Sequence, residues 1–338
     1  MKLKVGYELG TGKVVNIDLN HLIITGTTQT SGKSSCLEGM ASRLKDYKII
    51  IFKTKVGEKS FTNGNEIPLF FKHNTGWEFV LQLLELTMKE KLNTKFRAKI
   101  IQCSEDTETL EDVHNNILEA LNAEKVSVGD KDCLVTINAY LENILPKLEK
   151  LDYSHTLDIK KGVNIMDLTT YGNDLEIQSI IIANVMDEVL NNFKETVVII
   201  SESWKYTPQR SGSPCKLSIE QFIRQGGTNG NYLFLESQDM ASIDKTPLKQ
   251  MHNWLLGRQS EKNEVLHTIV QIPLPPDYLP TSEEIMGLKV GQFIVISGDE
   301  VTKTYAQPIF LGDKWSKAVA QGPRAVNKLL KEVEDKDG

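Results

Sequence analysis

Apolar residues along this chain fall into two patterns. Continuous runs rich in Ile, Val and Leu recur in "HLIITG" (21–26), "YKIIIFKT" (47–54), "GVNIMDLTTY" (162–171), "TVVIISES" (196–203) and "NYLFLESQ" (231–238). Runs without polar alternation read as strands covered on both faces, the situation of a parallel sheet. Between them, "SSCLEGMASRL" (34–44), "NDLEIQSIIIANVMDEVLNNF" (173–193) and "CKLSIEQFIRQGG" (215–227) repeat apolar residues at helical spacing. Asn173, with Glu176 three residues on, reads as a capping pair for the second of these. The first strand, its loop, the first helix and the next strand fit within about 30 residues, the size of a βαβ unit. The alternation predicts an α/β fold with a mostly parallel central sheet flanked by helices.

Residues 73–155 break this rhythm. "GWEFVLQLLELTMKEKL", "TLEDVHNNILEALNA" and "CLVTINAYLENILPKLEKL" all carry helix-period apolar positions with charged faces. They predict a helical insertion dividing a core of 21–72 and 156–312. A hairpin turning at "GTG" occupies 1–20, a second hairpin lies in "GQFIVISGDEVTKTYAQPIF", and 313–338 reads as an amphipathic helical tail fraying into "EDKDG".

Composition narrows the function classes. The 338 residues are 40% hydrophobic and 25% charged, so a large core forms and disorder is confined to the end. A net charge of -6 argues against a general basic coat for nucleic acid, while leaving room for a few basic loops lining a channel. Cys36, Cys103, Cys133 and Cys215 are scattered and the six histidines form no ligand-spaced cluster, so neither set predicts a metal site. No run approaches the roughly 18 apolar residues of a membrane span and no signal peptide opens the chain, which predicts a cytoplasmic protein without membrane contact.

The candidate chemistry sits where the strands end. "GTTQTSGKSS" (26–35) approximates the phosphate-loop signature G-x-x-x-x-G-K-[ST], with five residues instead of four between Gly26 and Gly32. Gly32, Lys33 and Ser34 supply the lysine for the terminal phosphates and the hydroxyl for Mg²⁺, at the head of a helix whose dipole favours anions. Thr27 stands where the first glycine belongs, and a β-branched residue tolerates positive φ poorly. Either the loop starts at Gly26 with one extra residue, or the chain enters it by a different path. Gly26, Thr28, Thr30, Ser31, Gly32, Lys33, Ser34 and Ser35 are the candidate nucleotide contacts. In "VVIISESW" an apolar strand ends in Ser201 and Glu202, where a Walker B element carries two acids. Ser201 brings a hydroxyl able to hold a metal-bound water but no charge; Glu202 keeps the acid that orients water or accepts its proton. Asp167 reads as a turn or capping residue in preference to a Mg²⁺-side carboxylate, and Lys53, Lys55 and Lys59 read either as contacts for nucleic-acid phosphates or as a solvated basic loop.

These motifs, in this order and with "IRQGGTNGNYLFLESQDMASIDKTPLKQ" and "GLKVGQFIVIS", resemble the HerA/FtsK superfamily of P-loop ATPases, specifically its HerA-type central ATPase domain. The resemblance covers most of residues 15–300 and is weakest over 73–155. It implies a RecA-like sheet, ATP and Mg²⁺ as cofactors, a homo-oligomer in the form of a hexameric ring, and duplex DNA driven through the pore. On it, Glu202 is the catalytic glutamate, Gln238 the γ-phosphate sensor and Arg224 an arginine acting on a neighbour's site; Arg258 is a second candidate. Lys33 and Ser34 hold phosphates and Mg²⁺, with Ser201 reaching the metal through water. HerA proteins dock a nuclease or other effector on an N-terminal barrel, of which residues 1–20 would be a remnant. The altered loop and Ser201 mark a divergent branch, and keep open a nucleotide-dependent scaffold or switch with slow or no hydrolysis. A small-molecule kinase shares the loop but would require a lid arginine cluster that the sequence does not display.

Overall fold

The structure is a computed structural model and describes residues 1–27, 31–55, 57, 60–238 and 240–337. The strands are β1 (Lys2–Glu8), β2 (Val14–Asp18), β3 (Leu22–Thr25), β4 (Lys48–Lys53), β5 (Asn65–Ile67), β6 (Leu69–Phe70) and β7 (Tyr153–Ser154). They continue with β8 (Gly162–Asp167), β9 (Thr196–Ile200), β10 (Tyr232–Ser237), β11 (Asn253–Gly257), β12 (Gln292–Ser297) and β13 (Glu300–Ala306). Among the described residues, eleven of them form one sheet in the order β2-β1-β13-β12-β11-β3-β10-β9-β4-β8-β5, and β6 pairs with β7 apart from it. From β11 to β5 every pairing is parallel; from β11 to β2 every pairing is antiparallel.

The five apolar runs are thus all parallel strands, and their central residues are buried because helices cover both faces. On one face lies α1 (Lys33–Ala41). Its Cys36, Leu37 and Met40 pack on Leu22, Ile24, Ile49, Ile51, Val197, Ile199 and Phe234. Burying a side chain of this size stabilises the fold by about 1.5–3 kcal/mol relative to leaving it in water. The alternate residues, Ile23, Ile50, Val198, Ile200, Leu233 and Leu235, face the opposite layer. That layer holds α6 (Leu175–Asn192) and α7 (Pro214–Gln225), together with α2 (Trp77–Met88), α3 (Thr94–Ser104), α4 (Leu110–Asn122) and α5 (Val128–Glu149). The helices between 73 and 155 therefore share one continuous core with the sheet.

Several local readings change. Helix α6 starts at N-cap Asp174, which makes no side-chain cap bond, so Asn173 and Glu176 are not its capping pair. The reason is an ion pair of 2.6 Å between Asp174 and Lys147 of α5. The run "NWLLG" forms β11, a parallel neighbour of β3 that the five apolar runs do not include. The hairpin of β1 and β2 extends the sheet edge through β13. After α8 (Lys245–Leu248), α9 (Lys262–Ile269) and α10 (Ser282–Met286), the tail forms α11 (Asp313–Gln321) and α12 (Pro323–Asp337). Helix α12 runs through the acidic end without fraying earlier, since Lys, Glu and Asp interrupt a helix far less than Gly or Pro. No described helix is long and apolar enough to cross a membrane.

Candidate nucleotide-binding site

Ligands of parallel sheets gather beyond the carboxyl ends of the strands. There β3 runs into Gly26, and α1 begins after Gly32, which is its N-cap at φ 81°. Gly26 has φ 148°, and a Cβ on it would stand 2.8 Å from Cβ of Ser31 and 3.2 Å from the carbonyl oxygen of Arg258. Of the two routes into the loop that the sequence leaves open, the one starting at Gly26 matches the steric requirement for glycine at that position. The Lys33 ammonium is buried and donates to the carbonyls of Gly26 at 2.7 Å and Thr27 at 3.3 Å. The Ser31 hydroxyl closes the loop by donating to the Thr27 carbonyl at 2.8 Å. Thr28 and Thr30 lie outside the described residues. Ser34 and Ser35 stand half-buried in the first turn of α1.

The loop is buttressed from β11 and β12. The Arg258 carbonyl, just past β11, accepts from the Thr27 backbone at 2.8 Å and its hydroxyl at 3.1 Å. Buried Gln259 donates to the Thr25 hydroxyl at 2.8 Å and the Thr268 hydroxyl at 3.1 Å, pinning the end of β3. The Gly291 N–H donates to the Ser31 carbonyl at 3.1 Å.

At the end of β9, Ser201 is buried and Glu202 turns out of the strand at φ 51°. Glu202 pairs with Lys205 at 2.5 Å and with Lys55 from the loop after β4. Burial pushes its carboxyl up, but the Lys205 and Lys55 ammonium groups outweigh this and hold it below the ordinary carboxylate range. Gln238 follows β10, whose Ser237 lies beside Thr25, so the glutamine stands level with Gly26.

Arg224 is not brought to this cluster. It is exposed in the last turn of α7, which leads to the start of β10, whereas the loop follows the end of the parallel strand β3. The Arg258 side chain is exposed next to the loop. Asp167 makes a turn, accepting from the Thr169 backbone at 2.8 Å and its hydroxyl at 2.6 Å. Lys59 lies outside the described residues.

One site residue escapes the sequence reading. Glu236 on β10 sits 3.7 Å from the Lys33 ammonium, with 13% of its side chain exposed. Burial pulls the Lys33 ammonium below the ordinary lysine range and Glu236 opposes that shift. In "NYLFLESQ" it looks like a polar strand end; its one signal is an acid breaking an apolar run beside the candidate sensor.

Together these residues fit a nucleotide with Mg²⁺. They provide a loop crowded by any Cβ at Gly26, a buried ammonium beside the helix head, and hydroxyl and carboxylate oxygens, the hard donors that Mg²⁺ takes.

Neither protein-family models nor curated proteins match the sequence. Solved structures do. VirB4 of Thermoanaerobacter pseudethanolicus aligns with a TM-score of 0.65 at 10% identity, covering 90% of this chain and 96% of its own. The bacterial conjugative coupling protein TrwBΔN70, in an unbound form, aligns at 0.62 with 12% identity over 91% and 94%. TrwB in complex with ADP and Mg²⁺ aligns at 0.61 with 14% identity over 88% and 87%. The chain shares the fold of these VirB4 and TrwB structures, with the loop that joins β3 to α1 leaving the middle of the large sheet.

Proposed function

We propose that this chain is an ATP-hydrolysing ring motor that binds duplex DNA and moves it. The observation that carries the reading is Lys33: a buried ammonium held on the carbonyls of Gly26 and Thr27, at the head of α1, with Glu202 at the end of β9, two strands over from β3. Lys33 exchanges those carbonyl bonds for phosphate oxygens, and the first N–H groups of α1, which have no acceptor within the helix, complete the cradle. Bound Mg²⁺ supplies charge neutralisation on the phosphates, held through Ser34 and, by way of water, Ser201. Glu202 orients the attacking water and accepts its proton, and Gln238 lies where it can contact the terminal phosphate. Arg224, exposed and distant from its own loop, is available to an adjacent subunit of a hexameric ring. The solved relatives include a conjugative coupling protein and a TrwB complex with ADP and Mg²⁺, which supports nucleotide-driven transport of DNA. An effector protein such as a nuclease would dock outside this site.

The test is ATP turnover with and without duplex DNA, run beside native mass measurement with and without nucleotide. The motor reading expects DNA stimulation, a ring, loss of turnover in Lys33→Ala, and ATP binding without turnover in Glu202→Gln. Wild-type turnover in Glu202→Gln would refute the mechanism. A second reading, a nucleotide-dependent scaffold with slow hydrolysis, draws on the two lysines that hold Glu202. It expects nucleotide-dependent assembly without DNA-stimulated turnover.

A further inference from the structure

We propose that Glu236 supplies, from the neighbouring strand, the metal-side carboxylate that Ser201 does not. The inference rests on the nucleotide reading above and deepens it.

The argument begins with register. β10 lies between β3 and β9, and its pairing with β9 runs Phe234↔Ile199, Leu235↔Ile200. One further step sets Glu236 beside Ser201. On the other side Glu236 is level with Ile24, two residues before Gly26. Side chains alternate along a strand, and partners in a parallel pair point to the same face. Ile24, Val197, Ile199 and Phe234 all pack toward α1. Glu236 continues the same alternation and belongs to the face that carries Lys33 and Ser34, and Ser201 is the first residue after β9 beside it. The contact of 3.7 Å between Glu236 and the Lys33 ammonium confirms that orientation for the glutamate. The link between the Ser203 hydroxyl and the Glu236 carbonyl, at 3.0 Å, ties the ends of the two strands together.

Chemistry then assigns the group. A loop lysine and a loop serine neutralise phosphate and contact Mg²⁺, but a magnesium site on phosphates also takes one or two carboxylates. Ser201 is a hydroxyl, and Glu202 has left the strand for a left-handed turn and two lysines. Glu236 is an acid of the described residues on the α1 face at that level. A glutamate is one methylene longer than an aspartate, which suits a residue reaching from one strand over. A buried carboxylate near a buried lysine costs desolvation, which their mutual attraction offsets.

The experiment titrates a fluorescent ATP analogue against the full chain with Mg²⁺ and with chelator, and records the Mn²⁺ EPR spectrum of the nucleotide complex. In wild type, Mg²⁺ tightens nucleotide binding. Glu236→Gln should cut that enhancement by roughly tenfold to a hundredfold, a larger factor than any change in chelator-state affinity and the scale of one lost charge-assisted contact. The double variant Glu236→Ser with Ser201→Asp, which moves the carboxylate one strand over, should restore the enhancement and the wild-type Mn²⁺ signal. An unchanged enhancement in Glu236→Gln overturns the proposal. So does an equal loss with and without Mg²⁺, which would mean that Glu236 only positions Lys33. Absence of nucleotide binding by wild type under both conditions would instead overturn the reading beneath it.

Discussion

Gly26 allows the sharpest test of how the loop is built. Its φ of 148° lies where residues with side chains are rare, and Cβ of alanine there would meet Ser31 at 2.8 Å from Cβ and 2.9 Å from Oγ. Contacts this short force movement. Ser31 is not free to give way without consequence, because its hydroxyl holds the Thr27 carbonyl and its own carbonyl receives the Gly291 N–H. The carbonyl of Gly26 also accepts from the Lys33 ammonium, at 2.7 Å. A residue forced into such backbone costs about 1–3 kcal/mol. If the loop relieves that strain by leaving its cradle shape, Gly26→Ala should weaken nucleotide binding by about 5- to 150-fold. Gly298→Ala is the control. Gly298 has φ 59° and no heavy atom within 4 Å of a Cβ, and it lies in the turn between β12 and β13. That variant should lower the melting temperature without changing affinity. Thermal melting by fluorescence and nucleotide titration check both. Affinity within twofold of wild type in Gly26→Ala, or equal weakening in Gly298→Ala, would refute the reasoning.

Two further outcomes follow from charge. Lys205→Met removes one of the ammonium groups that hold the Glu202 carboxyl down. The carboxyl should rise, moving the acid limb of the ATPase pH profile to higher pH; an unmoved limb would show that the pair is absent during turnover. Asp187 on α6 is pushed up to about 6 by burial, against a hydrogen bond from Ser218 that acts the other way. A folded carboxyl above its unfolded value of 3.8 binds more protons than the unfolded chain, so stability falls as pH rises from about 4 through about 6. His21, pulled down to about 4 by burial, has the opposite slope: its contribution is complete above 6.5 and is lost as pH falls toward 4. The two offset each other in wild type. Asp187→Asn should therefore raise stability at pH 7 by at most about 3 kcal/mol and steepen the loss on acidification. Urea melts across pH 4–7.5 measure both, and an unchanged slope would refute the assignment.

The sheet was legible because buried parallel strands leave uninterrupted apolar runs, and the loop because Gly32, Lys33 and Ser34 must be contiguous. The residues that complete the site are not contiguous, and they escaped for different physical reasons. Asn173 resembles a cap, yet the true N-cap, Asp174, is set by Lys147, 27 residues upstream on another helix. Arg258 and Gln259 hold the loop through a backbone carbonyl and an amide, groups whose partners no spacing reveals. Glu236 is the most informative case. A strand has a period of two, so a slip of one residue in the pairing of β10 with β3 or β9 would turn the glutamate away from Lys33 and into the opposite layer. Its identity is therefore visible in the chain, while its meaning lies in the register between three strands far apart in sequence. Reading "SES" at the end of β9 alone suggests a site that lost an acid; reading β9 and β10 in register shows an acid one strand away on the same face.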